Sequence, residues 1–296
     1  MENEREKTDN DFITVVSFNL KRDGKFKRKN KWDSRKAIVA DIIKESGAAV
    51  IGVQELLPSM KKDLKDMLRG YHLIGVGRSR AATNEHSDVI IKDEETDVAF
   101  TKTFWLSKKP DKSGSRAFLA AFPRICTVVE ITIRRLHQRI RVFNTHFDHV
   151  SPVARNRAVR LILKTADELN QTDPLPTILM GDFNAKPGSK PVQMLKYNTH
   201  PYTRIQFHDV FCHAPLETQE RLGGYRNTYH GFKEKRKPHP IDYIFVSEDF
   251  EVMDVEILRD QVDGRYPSDH YPIIATLRLK KPGPVPARGL SGQETA

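Results

Sequence analysis

The stretch Thr177-Ile-Leu-Met-Gly-Asp-Phe-Asn184 decides how the rest of the sequence is interpreted. Four residues that can form a strand lead into Gly181, and Asp182 and Asn184 follow two positions apart. Side chains two apart on an extended chain point the same way, so we expect the carboxylate and the amide to face one spot. The carboxyl end of a buried strand is where open α/β sheets bind ligands, and Gly181 permits a close backbone approach there. Alone, this motif does not distinguish a site from an ordinary turn.

The same pattern, an apolar strand that ends in acids, amides or histidines, recurs along the chain. It is present at Phe18–Asn19, Val53–Glu55, Asn144–His146, Asp242 and Ser268–His270. Such repetition predicts that the strand ends converge on one polar pocket.

The residue types in these motifs restrict the chemistry of that pocket. Oxygen ligands from Asn, Asp and Glu suit Mg²⁺ or Mn²⁺ and argue against a structural zinc site. The neighbours Asp269 and His270, together with Asp242, offer a general base and orienting carboxylates. No serine or cysteine nucleophile motif is found, so we expect an activated water to attack. These features favour hydrolysis of a phosphate ester.

The alternation of helices with apolar strands predicts a single α/β domain. We expect helices over Trp32–Lys44 and Pro152–Asn170 and a hairpin formed by Ile125–Ile133 and Ile140–Phe147. Phe104–Ser107 is predicted as a strand, and the Gly-, His- and Pro-rich region before Ile241 as a long loop. No linker-like break divides residues 12–280, whereas residues 1–11 and 281–296 are predicted to be disordered. Two packed mixed sheets with helices outside are the expected architecture.

Composition and charge bear on partners and compartment. The net charge of +10 predicts salt-sensitive attraction to polyanions, although solvated loops are the alternative for each basic cluster. No apolar run could cross a membrane, the N-terminus lacks a signal-peptide core, and two cysteines exclude a disulfide framework. We therefore expect a cytoplasmic monomer without a membrane partner. The basic clusters are Lys21, Arg22, Lys25, Lys27, Arg28, Lys29 and Lys31; Arg134, Arg135, Arg139 and Arg141; and Lys233, Lys235, Arg236 and Lys237.

The order of the motifs resembles that of the endonuclease/exonuclease/phosphatase superfamily of metal-dependent phosphoesterases. The resemblance extends over about residues 13–279 and implies a four-layer α/β sandwich. The strings Thr-His146-Phe-Asp148-His149 and Gly264-Arg265-Tyr-Pro-Ser-Asp-His resemble a subgroup with bacterial-type members, related to deadenylase-like exonucleases. Lys21 stands where apurinic-site endonucleases carry an acid, which disfavours that subfamily. The motifs are Ser-Phe-Asn19, Gln-Glu55, Asn-Thr-His146, Gly-Asp182-Phe-Asn184, Ile-Asp242-Tyr-Ile and Ser-Asp269-His270.

The resemblance also implies a role for each matched residue. Glu55 would bind Mg²⁺ (or Mn²⁺), with Asn19 and Asp269 beside it. Asp182 would orient or deprotonate the attacking water, Asn184 and His146 would contact the phosphate, and His270 would be the acid/base next to the catalytic Asp242. The remaining residues would bind phosphate or orient these groups; they are Arg35, Arg124 and Arg155 for phosphate, and Glu85, Asp148 and His149 for orientation.

Three functions remain open for such a protein. The first is a nuclease, foremost a 3′–5′ exonuclease on RNA or single strands, because Lys25, Lys27, Arg28 and Lys29 follow Asn19 and would line the rim of the site. The alternative is a small-molecule phosphatase acting on a sugar or inositol phosphate, which needs only the metal and one or two arginines. A catalytically silent nucleic-acid-binding protein is disfavoured, because no motif residue is missing.

Overall fold

The structure, a computed structural model, describes residues 11–24, 28–79, 84–223, 226–233 and 238–280. The strands in this part of the chain are β1 (Phe12–Asn19), β2 (Val50–Gln54), β3 (Tyr71–Ile74), β4 (Val89–Lys92), β5 (Thr96–Trp105), β6 (Ile125–Ile133), β7 (Gln138–His146), β8 (Thr177–Asp182), β9 (Phe207–Asp209), β10 (Asp242–Ser247), β11 (Phe250–Ile257) and β12 (Ile273–Leu279). The helices are α1 (Lys36–Glu45), α2 (Pro58–Met67), α3 (Pro152–Thr172), α4 (Lys190–Lys196), α5 (Val210–His213) and α6 (Leu216–Leu222).

These strands form two six-stranded sheets. The first has the order β11-β12-β1-β2-β4-β3 and the second β5-β6-β7-β8-β10-β9. Both sheets are mixed, because β1 pairs in parallel with β2 and β7 in parallel with β8, whereas the other neighbours are antiparallel. The predicted architecture, two packed mixed sheets flanked by helices, is confirmed.

Apolar side chains between the layers hold the sandwich together. One buried cluster, which includes Val15, Val142 and Ile244, fills the space between the two sheets. A second joins α3 and α4 to the outer face of the second sheet, and a third joins α1 and α2 to the outer face of the first. Burial of apolar surface at about 25 cal/mol per Å² makes these three interfaces the main source of stability.

A polar bridge fixes one sheet against the other. The amide of Asn144, on β7, donates to the carbonyl oxygens of Val53 (2.9 Å) and Asp88 (2.7 Å), and Gln54 donates to the Asn144 Oδ1 (2.7 Å). Gly52 makes room for this contact, because a Cβ there would lie 2.6 Å from the Met180 sulfur. The bridge sets the ends of β2 and β7 side by side.

Most predicted elements are present, with three corrections. The strand predicted at Phe104–Ser107 begins at Thr96, and the part that the sequence did not reveal is largely exposed, so it lacks the apolar alternation of a half-buried strand. The helix expected from Trp32 begins at Lys36, after a 3₁₀ turn. The predicted long loop contains β9, α5 and α6, which are too short to show a period. The predicted disordered segments 1–11 and 281–296 lie outside the described residues, apart from Asp11.

Candidate active site

The ends of five strands meet at one edge of the sandwich. In the parallel pair β7–β8, the last residues His146 and Asp182 lie side by side. Strand β10 runs the opposite way, so its first residue, Asp242, lies across from Asp182. Asn19 ends β1, and Glu55 directly follows β2. A cleft of about 530 Å³ is lined by Glu55, His146, Asp182 and His270. Asn19 and Asp242 do not line it but contact Asp182 and His270, which do. The predicted convergence of the polar motifs is therefore observed.

Two unusual backbone conformations bring the polar groups of the Gly181–Asn184 motif into the cleft. Gly181 has φ 140°, and a Cβ there would lie 1.9 Å from the carbonyl oxygen of Thr145. Asn184 is left-handed (φ 48°), and its backbone N–H donates to the Asp182 carboxylate (2.8 Å). The two side chains therefore share the cleft because the chain turns back after Asp182, and not because of the strand alternation that the sequence suggested.

Asn184 also fixes the ring of His146. Its side-chain amide donates to Nε2 of His146 (2.9 Å) and to the carbonyl oxygen of Phe147 (3.1 Å). Burial, reinforced by the nearby charges of Arg124 and Arg78, holds the pKa of His146 well below its usual range. His146 is accordingly a neutral acceptor on the floor of the cleft.

His270 and two aspartates form a coupled acid–base group. The imidazole Nδ1 contacts both oxygens of Asp242 (2.9 and 3.1 Å), while Nε2 lies 3.9 Å from Asp182. Burial disfavours a charged ring, but Asp242 and then Asp182 outweigh it and raise the pKa of His270 to about 10. Burial and the neighbouring Asp242 raise the pKa of Asp182 to about 7. This arrangement can hold a proton at Nε2 of His270 and accept another at Asp182.

Beside this group lies a set of oxygen donors that suits a metal ion. Asn19 donates to Asp182 (3.0 Å) and to Glu55 (3.4 Å), and the Asp269 Oδ1 is buried without a hydrogen-bond partner in the described part of the chain. The ammonium of Lys21 lies 3.2 Å from the Asp269 carboxylate and 3.9 Å from that of Glu55, so a cation is already drawn to this position. Burial opposes ionisation of Glu55, but Lys21 and the backbone N–H of Arg22 outweigh it and lower its pKa.

A second set of potential metal ligands lies next to the first. Oxygen and nitrogen atoms of Asp182, Asp242 and His270 lie within 4.8 Å of one another, close enough to share an ion. Both Asp242 oxygens already contact the His270 ring, which favours Asn19, Glu55 and Asp269 as the metal-binding set. Carboxylate and amide oxygens fit a hard divalent cation.

One wall of the cleft consists of arginines. Arg78 forms a two-bond pair with Glu85 (2.8 and 3.0 Å), and Arg22 approaches the same carboxylate at 3.4 Å. Arg124 contacts Nδ1 of His149 (3.3 Å), while its Nε is buried without a hydrogen-bond partner among the described residues. Unsatisfied buried N–H groups of a charged side chain are the donors that an anionic ligand would use.

Residues 16–270 of this chain match the model of the Endonuclease/Exonuclease/phosphatase family. The chain belongs to this family. It is therefore a metal-dependent hydrolase of phosphate ester bonds, as the order of its motifs indicated.

Solved structures agree with this assignment. A family protein from Bacteroides thetaiotaomicron is 28% identical with a TM-score of 0.81, and the match covers 91% of this chain and 95% of that one. A mannosyl-6-phosphatase from the same species is 28% identical with a TM-score of 0.79, covering 90% of this chain and 100% of that one. The human Nocturnin catalytic domain shares the fold at 14% identity, with a TM-score of 0.69 and coverage of 91% and 95%. A comparison with curated proteins gives no significant match.

Several residues predicted for this family site have other positions. Arg35 is fully buried and donates to four carbonyl oxygens, among them those of Leu20 (2.8 Å) and Pro267 (2.6 Å), so it supports the loop after β1 and is not available to phosphate. Arg155 lies outside the cleft and donates to the carbonyl oxygen of Asp148 (2.8 Å). The Asp148 carboxylate accepts three backbone N–H groups and organises its own loop.

Three further predictions are corrected or fall outside the structure. Glu85 pairs with arginines and does not contact His146 or His270, and His149 contacts Arg124 and stacks on Phe122 (5.9 Å). Arg28 and Lys29 form an exposed 3₁₀ turn that does not line the cleft. Lys25, Lys27, Lys235, Arg236 and Lys237 lie outside the described residues.

The cleft also contains residues that the sequence did not single out. Arg78, Phe122 and Tyr229 line it. Lys21 and Arg22 line it as well, although the sequence assigned neither of them a role in the site. Arg78 lies in a region with no clear motif, and its guanidinium is placed over the Phe122 ring (4.9 Å) by long-range contacts. No local sequence signal could have identified it.

The described residues contain no helix long and apolar enough to span a bilayer.

Proposed function

We propose that this family member is a Mg²⁺- or Mn²⁺-dependent phosphatase that hydrolyses a phosphate monoester of a small polyhydroxylated molecule, such as a sugar. The observation that carries the proposal is the carboxylate of Glu85 in the arginine wall. A carboxylate has about four acceptor positions, and Arg78 and Arg22 use three of them. The remaining position can accept a hydroxyl group of the substrate.

Two further facts support this proposal. The cleft volume of about 530 Å³ lies within the range of about 300–1,000 Å³ that is typical of small-molecule sites. The mannosyl-6-phosphatase of Bacteroides thetaiotaomicron is similar to this chain over its whole length. A sugar carrying one phosphate would place the phosphate near Arg124 and its hydroxyls toward Glu85.

In this proposal each group of the cleft has one task. Asn19, Glu55 and Asp269 would hold the metal, which, when bound, polarises the phosphoryl group and favours ionisation of water. Asp182 accepts the proton of the attacking water, because it lies between the metal-binding set and His270. Asp242 keeps His270 protonated, so that its Nε2 can donate a proton to the leaving oxygen. Arg124, Asn184 and the neutral His146 position the phosphate oxygens.

A second candidate function is a 3′–5′ exonuclease on RNA or single strands. Two observations favour it: the net charge of +10 and the exposed Arg28 and Lys29 on the segment that follows Asn19. Exposed cations on a rim attract a phosphate backbone. The acceptor position that remains on Glu85, which suits a hydroxyl group of a small substrate, is the feature that ranks this function second.

Turnover with a divalent metal separates the candidates. The purified protein is incubated with Mg²⁺ or Mn²⁺ and either a panel of sugar and inositol phosphates or a labelled single-stranded RNA, with Asp182→Asn and a chelated sample as controls. We expect inorganic phosphate from one or more sugar phosphates, and none from either control. Stepwise shortening of the RNA without phosphate release from the panel would refute the phosphatase and support the exonuclease. RNA binding without any turnover would indicate a silent member.

A further inference from the structure

A second concave site of about 750 Å³ lies outside the cleft and shares no lining residue with it. Three parts of the chain form its walls: Leu106–Lys108 after β5, Arg116–Phe118, and the α3 residues Arg157 and Leu161. Arg157 and Leu161 are four positions apart on one helix, so both side chains face the same way. Neither the motifs nor the proposed reaction uses this site.

The cations of this site have no acidic partner. Lys108, Arg116 and Arg157 contact no carboxylate within the described ranges, although Arg116 donates to the carbonyl oxygen of Ala121 at 3.4 Å. At the other end of β5, in contrast, an exposed arginine, Arg134, holds both oxygens of Asp97. Three unpaired cations around one cavity produce a positive potential that favours an anion, and guanidinium groups suit phosphate in particular.

The site also offers apolar surface for a flat ring. Leu106 and Leu161 line the cavity together with Phe118, whose side chain is 64% exposed and leaves ring surface open to a ligand. The guanidinium of Arg157 lies 5.5 Å from the centre of the Phe118 ring. An aromatic ring and a guanidinium at the edge of a cavity are the groups on which nucleobases stack.

We propose that this site binds a nucleotide, that is, a planar heteroaromatic ring that carries a phosphate. The ring packs against Phe118 and Leu161, and the phosphate contacts Arg157, Arg116 and Lys108. The same segment of chain continues to Phe122 and Arg124, which line the catalytic cleft.

Calorimetric titration of the full chain with adenosine monophosphate tests this site. Arg157→Gln removes a phosphate contact, and Phe118→Ala removes the stacking surface from an exposed position where folding is not at stake. Arg160→Gln is the matched control, because it removes the same charge from the same helix while its guanidinium lies over Tyr202 instead (5.5 Å). Arg124→Gln reports any binding of the nucleotide in the cleft.

We expect Arg157→Gln to weaken binding of the nucleotide by about tenfold or more and Arg160→Gln to leave it unchanged. Adenosine and inorganic phosphate, each alone, should bind at least about tenfold more weakly than the nucleotide. Equal binding of inorganic phosphate would show that the site recognises only an anion. Loss of binding only in Arg124→Gln would place the nucleotide in the cleft. Either result overturns the proposal. Phosphate release from sugar phosphates is measured in the same Arg157→Gln variant. This measurement tests the catalytic function independently of nucleotide binding at the second site.

Discussion

Two groups of arginines, in and beside the second sheet, differ in whether their guanidinium groups have hydrogen-bond partners. On the β6–β7 hairpin, the buried Arg141 donates to Glu130 (2.8 Å) and to the carbonyl oxygen of Asp173 (2.9 Å), and Arg139 contacts Glu130 and Asp173 as well. In the cleft wall, Arg124 keeps a buried N–H without a partner among the described residues. The first group stabilises the fold, and the second leaves hydrogen-bonding capacity for a ligand.

This difference shows that the partner of a charge, and not the charge itself, distinguishes structural from functional residues. A buried ion pair gives little net stability when compared with an apolar pair, but removal of one member leaves the other charge buried and uncompensated. A buried donor without a partner costs free energy in the absence of ligand, and that cost is recovered when the ligand binds. The two regions should therefore respond to mutation in different measurements.

The largest effect is expected at the catalytic carboxylate. Asp182→Asn should lower kcat by about 10²–10⁴-fold, because the cleft loses its proposed base. The same change should leave the free energy of unfolding unchanged or raise it: the pKa of Asp182 is raised in the folded state, so its charge is disfavoured there at neutral pH. Turnover of a sugar phosphate and urea unfolding of the metal-free protein measure the two quantities. A large loss of stability would place Asp182 with the structural group.

The opposite result is expected for Arg141. Arg141→Met should destabilise the protein by about 3–5 kcal/mol, because Glu130 remains buried near Arg139 without its second partner. The KM of the folded fraction should not change. Arg134→Gln is the control, since its pair with Asp97 is exposed and should contribute much less to stability. Equal losses of stability in both variants, measured by urea unfolding, would contradict the structural role assigned to Arg141 on the β6–β7 hairpin.

These two sites also show how far sequence reasoning reaches. Asp182 was predicted because it ends an apolar strand, and strand, polar stop and glycine are all local features. The basic run Arg134–Arg141 was compatible with a solvated loop or a binding patch, because its acidic partners Asp97, Glu130 and Asp173 belong to other segments of the chain. The charge pattern was visible in the sequence, whereas the pairing depends on how the sheet folds.

Arg35 and Arg78 show the same limit of sequence reasoning, one as a wrong prediction and the other as a missed residue. Arg35 looked like a phosphate ligand, but its guanidinium is satisfied by backbone carbonyl groups that come together only after the loops pack. Arg78 carried no motif and yet reaches the cleft, where it holds Glu85. The fold and the converging strand ends follow from periodicity, while the cleft wall follows from loop geometry that the sequence does not encode locally.

In the cleft wall, Arg124→Gln should act on binding. We expect KM for the phosphate substrate to rise by about 10–100-fold, corresponding to the loss of about 1.5–3 kcal/mol from hydrogen bonds to a charged group. The free energy of unfolding should change little, because no carboxylate in the described residues accepts a hydrogen bond from this side chain. A fall in stability without a change in KM would reverse the assignment of Arg124.

A smaller effect is expected for the lysine between the metal-binding carboxylates. Lys21→Met removes the ammonium that lies 3.2 Å from Asp269, so a divalent ion no longer competes with it. The Kd for Mg²⁺, measured by calorimetry, should fall by up to about fivefold, or about 1 kcal/mol. Lys31→Met, an exposed lysine of the same basic run, is the control and should leave the Kd unchanged. Weaker Mg²⁺ binding in Lys21→Met would mean that Lys21 supports the metal site and does not compete for it.

The smallest effect on the phosphatase is expected from Arg28 and Lys29. The double variant Arg28→Gln, Lys29→Gln should leave kcat/KM for a sugar phosphate unchanged, because the exposed turn that holds these residues does not line the cleft. Binding of a single-stranded oligonucleotide, in contrast, should weaken, and its salt dependence should become less steep, since both cations can contact a phosphate backbone. This pair of measurements extends the comparison to a third kind of cation, an exposed side chain that contacts no carboxylate among the described residues. The double variant could instead impair sugar-phosphate turnover as strongly as oligonucleotide binding. In that case the segment after Asn19 forms part of the cleft, and the conclusion that Arg28 and Lys29 lie outside it is wrong.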